Sequence, residues 1–259
     1  MDLRKEEHAK EIKENKLYVE EVRNIRKISI FIFIIPIVVL NLCLFISINY
    51  ELLENTIFVV DQIGRSGFSI PYIDGSLSIS RSARTYPAYL VFKPGMILTS
   101  ILLIQYWRVN NILFKKINNT ADKKNNFFYL FGVGSAIFLI FHSILLGIDL
   151  EINAYKFVRR FILLGFIIFE IIAQTLFVLN IMKVKNKISH LINSRILKLK
   201  IILVFVLVVV AFLAAPILNS SEYVHFKHAL EWNYFLGVVT FYLLTFMFWK
   251  KNLPSIHTP

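Results

Sequence analysis

One cysteine, Cys43, stands in the whole chain, which excludes an intramolecular disulfide framework and any cysteine-clustered zinc or iron–sulfur site. It lies inside an apolar run and reads as a small apolar residue there. The motifs that carry soluble chemistry are missing as well: there is no P-loop, no G-x-S-x-G, no H-E-x-x-H and no dinucleotide fingerprint. Gly132-Val-Gly134 lacks a third glycine and falls in a helical run, where small residues let helices approach. No repeat of useful period and no low-complexity tract is visible. No metal and no cofactor is expected.

What the chain has is apolar bulk: 259 residues, 56% hydrophobic, 24 Phe, mean hydropathy +0.62. A soluble domain with a polar surface does not have that composition, so the solvent is lipid. Crossing ~30 Å of hydrocarbon at 1.5 Å per residue takes about 20 apolar residues. Such runs occur near 29–48, 88–107, 127–148, 158–182, 200–218 and 230–249. Backbone groups in lipid must bond within their own segment, so the fold class is all-α: a polytopic membrane bundle of six transmembrane helices. The first run is too long for a signal-peptide core, and no small-residue cleavage site follows it; it is expected to be a retained anchor.

Acidic residues are few, 17 against 29 Lys and Arg, giving a net charge of +12. The basic residues follow topology and gather in no single folded patch, so nucleic acid is not the expected partner. Twenty-one of them fall in 1–27, 108–124, 183–200 and 250–251, and seven in the alternate segments, with Lys93 inside a run. This bias places both termini in the cytoplasm. The basic loops would attract anionic headgroups at about 1 kcal/mol per charge. Membrane lipids are thus the general partner.

The domain plan is a charged cytoplasmic segment (1–27), a six-helix transmembrane domain (28–250) and a cytoplasmic tail (251–259). In the first segment Glu and Lys interleave at i, i+3 and i, i+4, the pattern of a solvated helix leading into the membrane; a protein partner for it is the alternative. The loop from Asn49 to Pro87 is the long external one. Its stretch 68–80 alternates polar and apolar residues about Asp74-Gly75, which predicts a hairpin with Pro71 on an edge strand, forming a small cap. The short links 148–157 and 219–229 predict helices three and four, and five and six, as antiparallel pairs. Tyr106-Trp107 and Trp249 are read as interface anchors.

Polarity inside lipid marks the candidate site. A charge at the centre of a span costs about 2.5 to 3.5 kcal/mol, so each such residue needs a partner or a wet cavity. Arg159, Glu170 and Gln174 fall on one face of the fourth span, since eleven residues return to within about 20° of the start. In the sixth, His228 and Glu231 are i, i+3 neighbours, Tyr242 lies eleven residues beyond Glu231, and His225 precedes them. The third span offers Ser135 and His142, the second Lys93; Arg81 stands in the loop before it. Together these predict a polar chamber open to the outside, with Arg81, Lys93 or Arg159 facing a lipid headgroup. His228 and Glu231 are the candidate catalytic pair, suited to acid–base work. Two blander readings stand beside this: interhelical hydrogen bonds that fix packing, and basic side chains that snorkel to the interface.

Two stretches resemble a known family. Ser76-Leu-Ser-Ile-Ser-Arg-Ser-Ala-Arg-Thr-Tyr-Pro87, followed by Ala-Tyr-Leu-Val-Phe92, looks like the external-loop motif of the Frag/DRAM/Sfk family. His225-Phe-Lys-His228-Ala-Leu-Glu231-Trp232, leading to Phe241-Tyr-Leu-Leu-Thr245-Phe246, is similar to its last-helix signature. Tyr106-Trp107 resembles the aromatic pair that ends the second helix of the lipid-remodelling members. The resemblance covers residues 76–250 and implies six spans with both termini inside. It implies a role in membrane lipid composition, in GPI-anchor lipid remodelling or in autophagy regulation, the activities of that family's members. The chain departs from the family at the entrance to the fourth helix, where Tyr155-Lys-Phe-Val-Arg159-Arg160 replaces a His-Glu pair.

Three functions therefore compete: a lipid-handling protein or regulator of lipid composition, a non-enzymatic scaffold, and a small transporter. Whether the chain is an enzyme stays open. The expected location is a plasma membrane or endomembrane such as Golgi or lysosome in a eukaryote, or the inner membrane of a bacterium.

Overall fold

The computed structural model of the chain describes residues 2–49, 51, 69–118, 126–148, 153–219 and 222–250. Eight helices occupy them: α1 (Asp2–Ile48), α2 (Pro71–Asp74), α3 (Ile79–Arg84), α4 (Ala88–Ile117), α5 (Phe127–Leu145), α6 (Asn153–Val184), α7 (Ser194–Asn219) and α8 (Val224–Phe248). Six are long and apolar enough to cross a membrane: α4, α5, α8, and Tyr18–Ile48, Phe157–Val184 and Ser194–Ala214 within α1, α6 and α7. The chain is an all-α, six-span integral membrane protein. Arg65, Lys123, Lys124, the tail 251–259 and the side chains of 2–17 lie outside what is described.

Each span packs on its sequence neighbour, with α5 against α6 and α7 against α8 as the short links predict, and α1 meets α8. The six helices thus close into a ring. Across the ring, only long side chains can meet. Trp107 on α4, Tyr242 on α8 and Phe177 on α6 fill that centre. Trp107 lies edge to face with Phe177 at 5.9 Å and with Tyr242 at 6.5 Å, and Tyr106 with Tyr242 at 5.0 Å. These separations are those at which aromatic pairs attract. Tyr106, Trp107 and Trp249 are fully buried, not anchored at an interface. The reason for the first two is periodicity: Phe92, Met96, Leu103, Tyr106, Trp107, Asn110 and Phe114 make one inward stripe on α4. Gly132 on α5 admits the Trp107 indole, since a Cβ there would meet its ring at 2.4 Å.

The two ends of the ring are finished differently. At the end carrying Lys116, Lys183 and Arg195, the chain between α6 and α7 pairs with the end of α8. Asn193 N donates to Phe248 O at 2.8 Å and Lys250 N to Leu191 O at 2.9 Å, which covers Trp249. Here too α1 continues through residues 27 and 28 without a break; Val22 and Ile25 are fully buried, and Glu21 pairs with Lys116. The span therefore starts to pack earlier than the apolar run suggests.

At the other end, the expected hairpin is replaced by the short helices α2 and α3; no strand exists among the described residues. Local chemistry explains the difference. Pro71 sits in the first turn of α2, where its fixed φ suits a helix and its missing N–H costs nothing. Gly75, at φ 58° and ψ 23°, closes that helix, its N–H donating to Pro71 O at 3.2 Å. Ser78 then caps α3, accepting from Arg81 N at 3.2 Å. Asp74-Gly75 does supply the positive φ its sequence suggests, but as a helix end. The cap is joined to α1 through Ser47 Oγ, which donates to Ser82 O at 2.6 Å, and through Asn41, hydrogen-bonded to the Tyr72 hydroxyl.

Candidate functional site

Most of the sequence-predicted residues fall into two separate systems. Eleven residues of helix rise about 16 Å, so Glu231 and Tyr242 share a face but not a depth. The same holds for Arg159 and Glu170.

The first system is the joint between the cap and the entrance of α8. His225 Nδ1 and His228 Nδ1 both reach Gly75 O, at 3.2 and 2.9 Å. The Glu231 carboxylate accepts from the backbone N–H groups of Ile79 and Ser80, the first turn of α3. Trp232 Nε1 donates to Leu77 O at 2.8 Å, and Asn233 Nδ2 to Tyr72 O at 2.7 Å. The Tyr72 ring lies 4.8 Å from that of Trp232. Five side chains in the first three turns of α8 thus hold five backbone groups of the cap. An acid at a short helix's N-terminus meets orphan donors and the positive end of its dipole. Gly75 must lack a side chain: a Cβ there would stand 1.7 Å from His225 O. Arg81, exposed on α3, and Lys227 lie within electrostatic reach of His228, so the rim of this joint is cationic. The exposed side chains of Ile73 and Phe226 flank it.

Within the cap, slight burial pushes the Asp74 carboxyl up, but the N–H groups of Ser76 and Ile70 and the hydroxyls of Ser76 and Ser69 outweigh it. They hold Asp74 below the ordinary carboxylate range. Its Oδ1 accepts from Ser76 N at 2.8 Å and its Oδ2 from Ile70 N at 2.9 Å.

The second system is buried at the centre of the ring. Glu170 on α6, 1% exposed, accepts from Ser135 Oγ at 2.6 Å, from Gln174 Nε2 at 3.0 Å and from the Tyr242 hydroxyl. Three donors from three helices offset the cost of a carboxyl group in lipid. One layer towards the basic end, Lys200 on α7 is fully buried. Its Nζ donates to Thr245 Oγ1 at 2.6 Å and lies 3.8 Å from the Phe241 ring centre and 4.9 Å from that of Phe177. Aromatic faces attract a cation at such distances. The Tyr106 hydroxyl lies 3.2 Å from Thr245 Oγ1 and within electrostatic reach of Glu170.

Sequence reasoning missed Lys200, which reads as one more basic residue beside a span. The signal was there: Leu197, Lys200, Val204 and Leu207 recur at three- and four-residue steps, and all are buried. With Lys200 inside, buried polarity extends into the basic half of the bundle. The remaining predicted residues stay apart from both systems. Lys93 Nζ lies 5.1 Å over the Tyr89 ring. His142, 5% exposed, meets the Phe92 ring edge to face at 6.3 Å, within electrostatic reach of Arg159. Among the described residues no group of three His, Cys, Asp or Glu could hold a metal. No family model, no curated protein and no solved structure matches this chain.

Proposed function

We propose that this membrane protein is a non-catalytic regulator of membrane lipid composition of the Frag/DRAM/Sfk type, working through its latched cap. The observation that carries the reading is the contact between the two stretches that resemble that family. Leu77, Ile79 and Ser80 of the loop motif are the partners of Glu231 and Trp232 in the last-helix motif, 155 positions away for Trp232 and Leu77. Two short resemblances that meet in space form one structural unit. In that unit His228 and Glu231 hold backbone groups of the cap, so we assign them to the latch and not to acid–base chemistry. The cationic rim, with Arg81 and Lys227 beside exposed Ile73 and Phe226, suits a headgroup phosphate with an acyl chain alongside. The aromatic filling at the level of Trp107 speaks against a transport path through the ring.

The test is lipidomics, GPI-anchor lipids included, after deletion of the gene and complementation with wild type or Glu231→Gln. A latch predicts that Glu231→Gln restores lipid composition in proportion to the folded protein present. Wild-type amounts of folded Glu231→Gln protein with no complementation would mean acid–base chemistry instead. An unchanged lipid profile on deletion would remove the lipid reading altogether.

A further inference from the structure

Packing is uneven around the ring. In the inner half of α6 a stripe of Glu170, Ala173, Gln174, Phe177 and Ile181 is buried. Outwards, by steps of three and four residues, the same stripe runs through Phe166, Leu163 and Arg159. All three keep partial exposure, and none of the described side chains from Tyr155 to Phe169 is buried. On α8 the pattern repeats: Val239, Tyr242 and Thr245 are buried, whereas Phe235 and Val238 are half-buried. On α7, Val208 and Ala211 follow Leu207, which meets Gly237 of α8, and they are half-buried too. The opposite wall is closed, since Phe92, Met96, Leu139 and His142 are buried in the outer halves of α4 and α5.

Each of the looser helices leans on a different neighbour. The Phe169 and Phe138 rings of α6 and α5 lie 5.2 Å apart, with Gly134 and Gly165 giving them room. α7 instead leans on α8, where the Tyr234 hydroxyl donates to Leu207 O at 3.4 Å. In its outer half the ring therefore parts between α6 and the α7–α8 pair. The parting has a floor where Gln174 Nε2 donates to Val238 O at 3.3 Å, beside buried Glu170 and Tyr242. Its mouth carries Arg159 and exposed Arg160. From Arg159 to Glu170 the helix rises about 16 Å, half of the ~30 Å hydrocarbon core. Snorkelling to the interface accounts for Arg160 but not for Arg159, which shares the stripe that faces the interior.

We propose that this parting binds one acyl chain of an anionic phospholipid of the outer leaflet, whose phosphate is held by Arg159 and Arg160. Three properties select that occupant. The walls are apolar, with Leu163 and Phe166 on one side and Val208, Phe235 and Val238 on the other. The depth is that of one leaflet, so a lipid in its ordinary orientation puts its phosphate at the mouth and its chain end at the floor. Guanidinium groups at the mouth give a phosphate charge-assisted hydrogen bonds. The site goes beyond the latch and does not depend on it, because no residue of the cap lines it.

Photo-crosslinking of the full chain tests this, in nanodiscs of equal parts phosphatidylglycerol and phosphatidylcholine. A benzoylphenylalanine in place of Phe166 reports the parting; one in place of Ile168, exposed on the same helix at nearly the same depth, reports the surrounding bilayer. Mass spectrometry identifies the adducts. Relative to the Ile168 position, phosphatidylglycerol is expected to be preferred at Phe166 by about fivefold for each arginine, roughly twenty-five-fold in all. Arg159→Gln and Arg160→Gln should each lower that preference about fivefold. Ala211→Phe fills the space from α7 and should abolish lipid adducts at Phe166 while sparing those at Ile168. Capture at Phe166 in the ratio seen at Ile168 overturns the proposal, as does a preference that both arginine variants leave unchanged. So does an adduct made only with a peptide, whether from residues 52–68 of the same chain or from a second copy. If Arg159→Gln does not fold, Arg160→Gln and Ala211→Phe decide. The readout is binding at α6, so its failure leaves the lipidomic test of the latch standing.

Discussion

Gly75→Ala puts the latch to a quantitative test. A methyl group at Gly75 would stand 1.7 Å from His225 O, 2.5 Å from His225 C and 2.9 Å from His225 Cα. All three are backbone atoms of a helix, so no side chain can swing aside. Ordinary contact begins near 3.4 Å, and the cap must therefore withdraw by about 1.7 Å. The bonds from His228 and His225 to Gly75 O start at 2.9 and 3.2 Å and do not survive that shift. Losing them costs about 1 kcal/mol each. The left-handed φ of 58° costs alanine about 1 kcal/mol more. Some 3 kcal/mol corresponds to about a hundredfold rise in the open fraction of the cap. Ala83, a fully buried residue of the cap helix α3, provides the reporter. In a Cys43→Ala background, Ala83→Cys should be labelled by a thiol reagent about a hundredfold faster when Gly75→Ala is added. Gly147→Ala is the control: its φ is 81° and its methyl would meet the Tyr89 ring at 3.1 Å, away from the latch. Equal protection of Ala83→Cys with and without Gly75→Ala would refute the latch.

The cap should also respond to acid. Asp74 is held below its ordinary value, so its contribution is complete above about pH 3.9, the usual value for the unfolded chain, and is lost as pH falls through the lower folded value. Hydrogen exchange of residues 70–84, corrected for intrinsic pH dependence, should accelerate on acidification below that point. Asp74→Asn should already exchange faster at neutral pH and show no such acid step. In the bundle, Gly132→Ala drives a methyl group to 2.4 Å from an indole packed against Phe128, Phe177 and Tyr242, and should cost about 1 to 3 kcal/mol. Gly237→Ala meets only the flexible tip of Leu207 and should leave the melting temperature in detergent nearly unchanged.

The spans were legible because lipid imposes length: six runs of about 20 apolar residues lead to six helices whatever else they contain. The pairing of Gln174 with Glu170 was legible for a similar reason, since i, i+4 residues meet on any helix. The cap was not. Its alternation about Asp74-Gly75 carries a two-residue period, yet the conformation is set by Pro71 at a helix start and by α8 side chains that lie 150 positions away. Helical phase also gave the face of Arg159, Glu231 and Tyr242 without their depth, so one polar chamber was expected where two systems exist. Lys200 escaped because a lysine beside an apolar run counts as a loop charge until its stripe with Leu197, Val204 and Leu207 is weighed.

The two systems should also differ in how they tolerate change. In the latch, α8 supplies side chains and the cap supplies backbone: Gly75 O, Leu77 O, Tyr72 O, and the N–H groups of Ile79 and Ser80. A backbone group survives replacement of its own side chain, so Ser80→Ala leaves the bond to Glu231 in place. Glu231→Ala removes the acceptor of two donors at once and should cost about 2 kcal/mol or more. The core has no such asymmetry, because Ser135, Glu170, Gln174 and Tyr242 meet side chain to side chain. Removing either member strands the other where no water replaces it, so Ser135→Ala and Tyr242→Phe should each destabilise by about 1 to 3 kcal/mol. A scan of folded yield in the membrane should therefore be one-sided at the joint, with α8 sensitive and 79–80 tolerant, and two-sided at the core. Equal sensitivity of Ser80 and Glu231 to alanine would contradict the backbone-directed latch.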